Sequence, residues 1–235
     1  ILSVNPNVVL VLISGNAVSM PWISKVPAVV QGWYLGTEAG NALAAVLTGT
    51  VNPSGKLPFS FPVKLTDVGA HSFDSLSYPG DNIKQVYKED ILVGYRWFDT
   101  KKIEPLFPFG HGLSYTTFEY GKATADKASY SKEDVVTLTF TVKNTGKVAG
   151  AEAVQVYMTD KKASVERPLK ELKGFSKVNL QPGESKQVTL KLPVSDWAFY
   201  DDKTQSWVVE LGDFELLVGS SSRDIRQKIA LTVSK

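Results

Sequence analysis

The sequence contains no cysteine, only two methionines and only two histidines in 235 residues. Without cysteine there can be no disulfide framework and no thiolate metal site. With histidine only at His71 and His111, and no clustered carboxylates, a metal centre is not expected. An excess of one charge is also missing, since 26 Lys and Arg face 24 Asp and Glu and leave a net +2. So small an imbalance, with no basic cluster, argues against a nucleic-acid partner. The longest apolar run near the start, Val8 to Ile13, is too short to span a bilayer. Neither an initiator Met nor a basic leader precedes Ile1-Leu2-Ser3, so no signal segment is visible and the opening reads as a cut from a longer chain. Asn52-Pro53-Ser54 has the spacing of a glycosylation acceptor, but its central Pro disqualifies it.

What is present suits a packed, soluble protein: 43% of residues are hydrophobic and 21% charged. The length fits one large domain or two small ones. Val8 to Ile13 and Ala28 to Trp33 are continuous apolar runs, the pattern of strands buried on both faces of a parallel sheet. The residues between them suffice for a crossover with a short helix, for which Pro21 is a suitable first-turn residue. Ala39, Ala42, Leu43, Val46 and Leu47 fall on one helical stripe. Thr37 is its expected N-cap and Gly49 its expected stop, with Glu38 favourable near the dipole of the first turn. The region to about residue 65 therefore reads as β-α-β-α-β, part of an open α/β sheet.

From about 66 to 117 Gly, Pro and aromatic residues dominate, and Ile91 to Phe98 reads as one strand. Beyond 118 the chain reads as all β. Val136, Leu138, Phe140 and Val142 alternate with Thr137, Thr139 and Thr141, which is strict period two. Val188 to Leu192 and Phe214 to Val218 repeat the pattern. Turn residues intervene at Asn144-Thr145-Gly146, Pro182-Gly183 and Asp201-Asp202-Lys203. About seven short strands are expected, arranged as an immunoglobulin-like or fibronectin type III-like sandwich.

The first part of the chain also carries an ordered run of motifs. They are Asn5-Pro6-Asn7, Met20-Pro21-Trp22, Trp33 to Glu38, Asn52 to Pro58, Val93 to Asp99, and Pro105 to Thr116. In this order, ahead of a β-sandwich, they resemble the family-three glycoside hydrolases of the β-glucosidase kind. Two small departures are Asp90, where that family usually has Gly, and Leu35, where it often has Pro. The resemblance implies that residues 1–70 are the C-terminal half of an α/β sandwich domain. Residues 71–117 would then be an ordered extended connector, and 118–235 a fibronectin type III-like domain.

It further implies retaining glycoside hydrolysis, with a nucleophilic carboxylate and an acid/base carboxylic acid roughly 5 Å apart. In the family, the nucleophilic Asp lies in an N-terminal barrel and the acid/base Glu in a loop upstream of the Asn-Pro-Asn motif. Both positions precede Ile1. No catalytic residue therefore carries over, substrate-binding residues are unassigned, and neither cofactor nor metal is implied. The implied partner is an N-terminal catalytic portion of the same protein, with the carbohydrate substrate reached through it. A homo-oligomer is left open, and a periplasmic or secreted location is expected from the resemblance alone.

Several residues invite a role. His111, between two glycines, could mark an oxyanion loop, but no Gly-x-Ser-x-Gly elbow exists, and it reads as a structural turn at the entrance to the sandwich. His71 sits in a polar loop. Glu38 reads as a helix-dipole partner rather than a catalytic acid. Arg96, on the expected strand, shares a face with Leu92 and Phe98, so it needs a carboxylate, either Glu89 or Asp99. Trp22, Trp33 and Trp97 read as packing residues, and Trp197 and Trp207 as residues that fill or cover the sandwich. The loop from Asp67 to Asp81, around His71 and Tyr78, is the segment expected to approach a neighbouring active site. The main reading is an enzyme portion that lacks its catalytic half. A carbohydrate-binding or adhesion module of fibronectin type III type, and a pure scaffold, remain as alternatives.

Overall fold

The computed structural model describes all of residues 1–235. Two short strands, β1 (Val9–Leu12) and β2 (Ala28–Gln31), pair in parallel with Val9 opposite Ala28 and Leu12 opposite Gln31. The link between them holds only a 3-10 turn at Ile23–Lys25. Helix α1 (Ala39–Leu47) follows, and Gly49 leaves it at φ +76°, a left-handed stop that Gly adopts without penalty. The N-cap is Glu38 rather than Thr37. Its Oε2 accepts a hydrogen bond from Asn41 Nδ2 at 2.6 Å.

No residue of α1 is buried, although its apolar stripe is present. Leu47 is 48% exposed and Val9 on β1 is 50% exposed. Ala39, Leu43 and Val46 of the stripe are half-buried, and Ala42 and Leu47 are exposed, so the stripe is only partly covered.

Two expectations need correction. The third strand of the α/β region is reduced to a single bridge between Phe61 and Phe107. Pro58 and Pro62 flank that bridge and remove the donors a longer ladder would use. The strand expected over Ile91 to Phe98 is instead helix α2 (Tyr95–Thr100). Gly94 takes φ +61° and breaks the extended run, so Tyr95, Phe98 and Asp99 fall on one buried helical side. Asp90, the departure from Gly noted above, has φ +54°. Asp is among the few residues that tolerate that region.

The sandwich follows. Its short strands are β3 (Phe118–Tyr120), β4 (Thr124–Ala125) and β5 (Ser129–Tyr130). The long ones are β6 (Val135–Asn144), β7 (Gly150–Asp160), β8 (Glu171–Leu180) and β9 (Ser185–Pro193). A hairpin of β10 (Phe199–Asp201) and β11 (Ser206–Val208) precedes β12 (Gly212–Gly219) and β13 (Ile225–Val233). One sheet has the order β5-β13-β12-β7-β8; in the other, β6 pairs with β3, β4 and β9. The count from β3 to β13 is eleven rather than about seven, because the edges are broken into pieces of two or three residues and a hairpin is added. The core between the sheets holds Val136, Leu138, Phe140, Val154, Val156, Trp197, Phe214 and Leu216. These are the inward positions of the alternating runs.

Strand β7 is covered on both faces, as is part of its neighbour β12. Val154, Val156 and Met158 point into the sandwich, yet Gln155 and Tyr157 are also buried. The second cover comes from the connector, where Tyr95 and Phe109 pack with Tyr157 and Leu217. Tyr95 and Phe109 stack with centroids 4.9 Å apart. This packing fixes the connector against the sandwich.

Candidate functional site

The polar residues of the chain converge where the α/β part, the connector and the sandwich meet. Leu57 N–H donates to the His111 carbonyl at 2.8 Å, and Gly110 N–H donates to the Leu57 carbonyl at 2.8 Å. Asn52 ties the turn from the other side, since its Oδ1 accepts from Ser114 Oγ at 3.0 Å and from Tyr115 N–H at 2.8 Å. Its Nδ2 donates to the Ala149 carbonyl at 2.9 Å. Thus the Asn-Pro-Ser-Gly-Lys and Gly-His-Gly-Leu-Ser motifs form one clasp, closed on β7.

Lys56 carries that clasp into the sandwich. Its Nζ lies 3.2 Å from Glu152 Oε2 and 3.2 Å from the Gly112 carbonyl. Glu152 is only 4% exposed, so the pair neutralises a carboxylate with little access to water. Tyr120 Oη donates to the other oxygen at 2.8 Å. Burial, with the Glu152 charge beside it, pushes the Tyr120 hydroxyl far above its ordinary value.

A cleft of about 360 Å³ opens there, bordered by Lys56, His111, Glu152, Ser221, Asp224 and Arg226. Asp224 and Arg226 pair at 3.0 Å. Burial raises the Asp224 pKa, but Arg226 and Ser220 outweigh it and hold the carboxyl below the usual range. The His111 ring stacks on Phe107 at 5.3 Å. Burial, reinforced by the Lys56 charge, lowers its pKa, so it is neutral at physiological pH. Ser114 is engaged with Asn52, so it is not held by His111 as a nucleophile.

Arg96 does not bond the carboxylates assigned to it. Asp99 is instead clamped by Lys170 Nζ at 2.7 Å and Arg223 Nε at 2.7 Å. Arg223 also bonds Glu104 at 3.2 Å and the Ile103 carbonyl at 2.9 Å. The expected pairing fails because Lys170 and Arg223 between them already hold both oxygens of Asp99. The guanidinium lies 5.6 Å from the centroid of the Tyr95 ring. Glu89 is 8% exposed, and its Oε2 is buried without a partner.

The remaining residues are spread over the molecule. His71 closes a 3-10 turn (Gly69–His71) and packs edge-on against Tyr78 at 4.2 Å. Trp97 is buried beside Leu92 and Phe98, and its Nε1 donates to the Asp67 carbonyl at 3.0 Å. Trp22 and Trp33 are half-buried. Trp197 fills the sandwich at 0% exposure, whereas Trp207 is 73% exposed on the β10–β11 hairpin, so it neither fills nor covers the core.

Sequence reasoning missed Gln155, whose Nε2 donates to the carbonyls of Gly110 at 3.2 Å and Ser220 at 2.7 Å. A lone amide inside the apolar run Val154 to Met158 was the available signal. It also missed Arg167, which reaches Glu171 at 2.8 Å, Asp160 at 3.6 Å and the Trp197 carbonyl at 2.9 Å.

Residues 1–115 match the glycosyl hydrolase family 3 C-terminal domain, and residues 152–222 match the fibronectin type III-like domain. The chain belongs to glycoside hydrolase family 3. It is 55% identical over 226 residues to beta-glucosidase BoGH3A of Bacteroides ovatus, with 96% of this chain covered. It is 51% identical over 231 residues to thermostable beta-glucosidase B of Acetivibrio thermocellus, with 98% covered. Among solved structures, the beta-glucosidase DesR of Streptomyces venezuelae in complex with D-glucose superposes with a TM-score of 0.93 at 42% identity. That match covers 99% of this chain and 29% of DesR. The chain spans 30% of the length of both curated relatives and corresponds to the C-terminal region of the family. No helix is long and apolar enough to cross a membrane.

Proposed function

We propose that the protein containing this chain is a retaining β-glycosidase of the β-glucosidase kind, and that residues 1–235 are its supporting, non-catalytic C-terminal portion. It would remove non-reducing-end β-linked sugars from oligosaccharides or glycosides, in the periplasm or outside the cell. The carrying observation is the match of nearly the whole chain to beta-glucosidases of which it spans only 30%. In this reading residues 1–70 are half of an α/β sandwich domain, 71–117 a connector, and 118–235 a fibronectin type III-like domain. The clasp around Lys56 and Glu152 supports a structural role, because its charges answer one another across that junction. The nucleophile, the acid/base and the sugar pocket belong to the N-terminal portion of the same polypeptide. Assay of the full-length protein on aryl β-glucosides and β-xylosides, with stereochemical outcome followed by NMR, tests this. Retained β-configuration in the first-formed sugar is expected, and inversion or inactivity would refute it.

One observation favours a second reading, a carbohydrate-binding module. Tyr200 and Trp207 face each other across the β10–β11 hairpin, 5.6 Å apart, and are 50% and 73% exposed. Calorimetry of residues 118–235 with β-linked oligosaccharides separates the readings, since the supporting role predicts no heat of binding.

A further inference from the structure

Two carboxyl groups meet at the end of β7, and neither is fully bonded. Asp160, its side chain 7% exposed, accepts from Lys162 N–H through Oδ1 at 2.9 Å. Glu210, just ahead of β12, accepts from Ser164 N–H through Oε1 at 3.0 Å. Their second oxygens, Asp160 Oδ2 and Glu210 Oε2, are both shut off from solvent without a hydrogen bond. The two carboxyls lie within hydrogen-bonding reach of each other.

Cations do not make up the difference. Arg167 gives Nη2 to Glu171 at 2.8 Å and to the Trp197 carbonyl at 2.9 Å, and its Nη1 stops 3.6 Å from Asp160 Oδ2. On β8, Lys173 goes to Glu171 at 3.0 Å. Lys161 turns away to Glu215 on β12 at 2.9 Å, and Asp213 is taken by Thr232. The carboxylates Asp160, Glu171 and Glu210 thus face only the cations Arg167 and Lys173. One proton closes that balance. Placed between Asp160 and Glu210 it also satisfies both bare oxygens, whereas two charged carboxylates in contact repel one another. Burial, with the Glu210 charge beside it, raises the Asp160 carboxyl above its ordinary value.

We propose that a proton held between Asp160 and Glu210 is a pH-sensitive fastening for the 161–170 loop. The two carboxyls grip that loop by the amides of Lys162 and Ser164. Its far end reaches the connector, where Leu169 N–H donates to Thr100 Oγ1 at 3.4 Å and Lys170 Nζ lies 2.7 Å from Asp99. Losing the proton sets two charges against each other and loosens the loop at its root, and with it the hold on α2. Because folding raises the carboxyl, the fastening is complete below its ordinary 3.8 and is lost as pH rises through the folded value.

Carbon-13 NMR of the Asp160 carboxyl in the 235-residue chain, identified by its loss in Asp160→Asn, tests the shared proton. A titration midpoint above 3.8 that falls in Glu210→Gln is expected. A midpoint at or below that value, or one that Glu210→Gln leaves in place, would overturn the proposal, because Asp160 would then owe its state to Arg167 or to burial alone. Hydrogen exchange across residues 161–170 reads the loop itself. Asp160→Asn keeps a donor towards Glu210 at every pH. The parent and this variant should therefore exchange alike near about pH 4, and the parent several-fold faster near about pH 7. Equal exchange at both values, or faster exchange in the variant at the higher one, would show that the loop is not fastened by this proton.

Discussion

A Cβ placed on Gly110 would collide with Oε1 of Gln155. The same Gln155 donates its amide to the carbonyls of Gly110 and Ser220. One side chain thereby fixes the connector, β7 and the β12–β13 loop together, and only glycine leaves it room. Gly110 also has φ +79°, which adds backbone strain to any substitution. Gly110→Ala should destabilise the chain by about 2–4 kcal/mol in chemical denaturation. Gly183 has φ +78° but open space around it, so Gly183→Ala should cost only about 1 kcal/mol. Equal losses in the two variants would argue against the clasp.

The Asp99 clamp should also be costly to break. Its side chain is 4% exposed and lies 2.7 Å from both Lys170 and Arg223. Asp99→Asn leaves two cations around a neutral amide, and a loss of about 3 kcal/mol is expected. Glu215→Gln, at the more exposed Lys161 pair, should change stability by less than about 1 kcal/mol. Urea titration of both variants compares them.

Residues 118–235 should fold without the rest of the chain. They hold all twenty buried residues of the main core, whereas α1 has none. A single cooperative thermal transition and dispersed amide signals are expected from this segment. A non-cooperative melt would contradict it.

How far the sequence could be read follows from where its determinants lie. The β6 alternation from Val136 to Val142 was legible because one face points into the sandwich and the other outward. The family motifs were legible as strings, but their mutual contacts were not. Asn52 meets Ser114, and Lys56 meets Glu152, through folding that brings distant segments together. Helix α2 was misread because Ile91 to Phe98 alternates acceptably as a strand. The deciding terms are the positive φ at Gly94 and the tertiary hold on Tyr95, whose Oη accepts from Leu172 N–H at 2.8 Å. Asp99 finds its cations in Lys170 and Arg223, far along the chain, and no local pattern announces them. Trp197 and Trp207 look alike in sequence, and only packing separates the buried one from the exposed one.

Acid should weaken the sandwich through Glu171. Burial alone would raise its pKa, but Lys173 and Arg167 outweigh that and hold the carboxyl below its ordinary 4.5. With the folded pKa depressed, the stabilisation is present above the unfolded value and is lost as pH falls through the folded one. The stability gap between the parent chain and Glu171→Gln should therefore shrink as pH drops from about 6 towards 3. Melting curves across that range check it, and a gap that widens in acid would be the wrong sign.

The most direct test of a supporting, non-catalytic role is the turnover of aryl β-glucosides by the purified 235-residue chain, freed of contaminating glycosidase and assayed beside the full-length protein. If both carboxylates lie outside the chain, as proposed, a loss of many orders of magnitude in rate is expected, so the chain should show no turnover above buffer while the full-length protein is active. Hydrolysis by the chain itself at a rate comparable to the full-length protein would contradict that role.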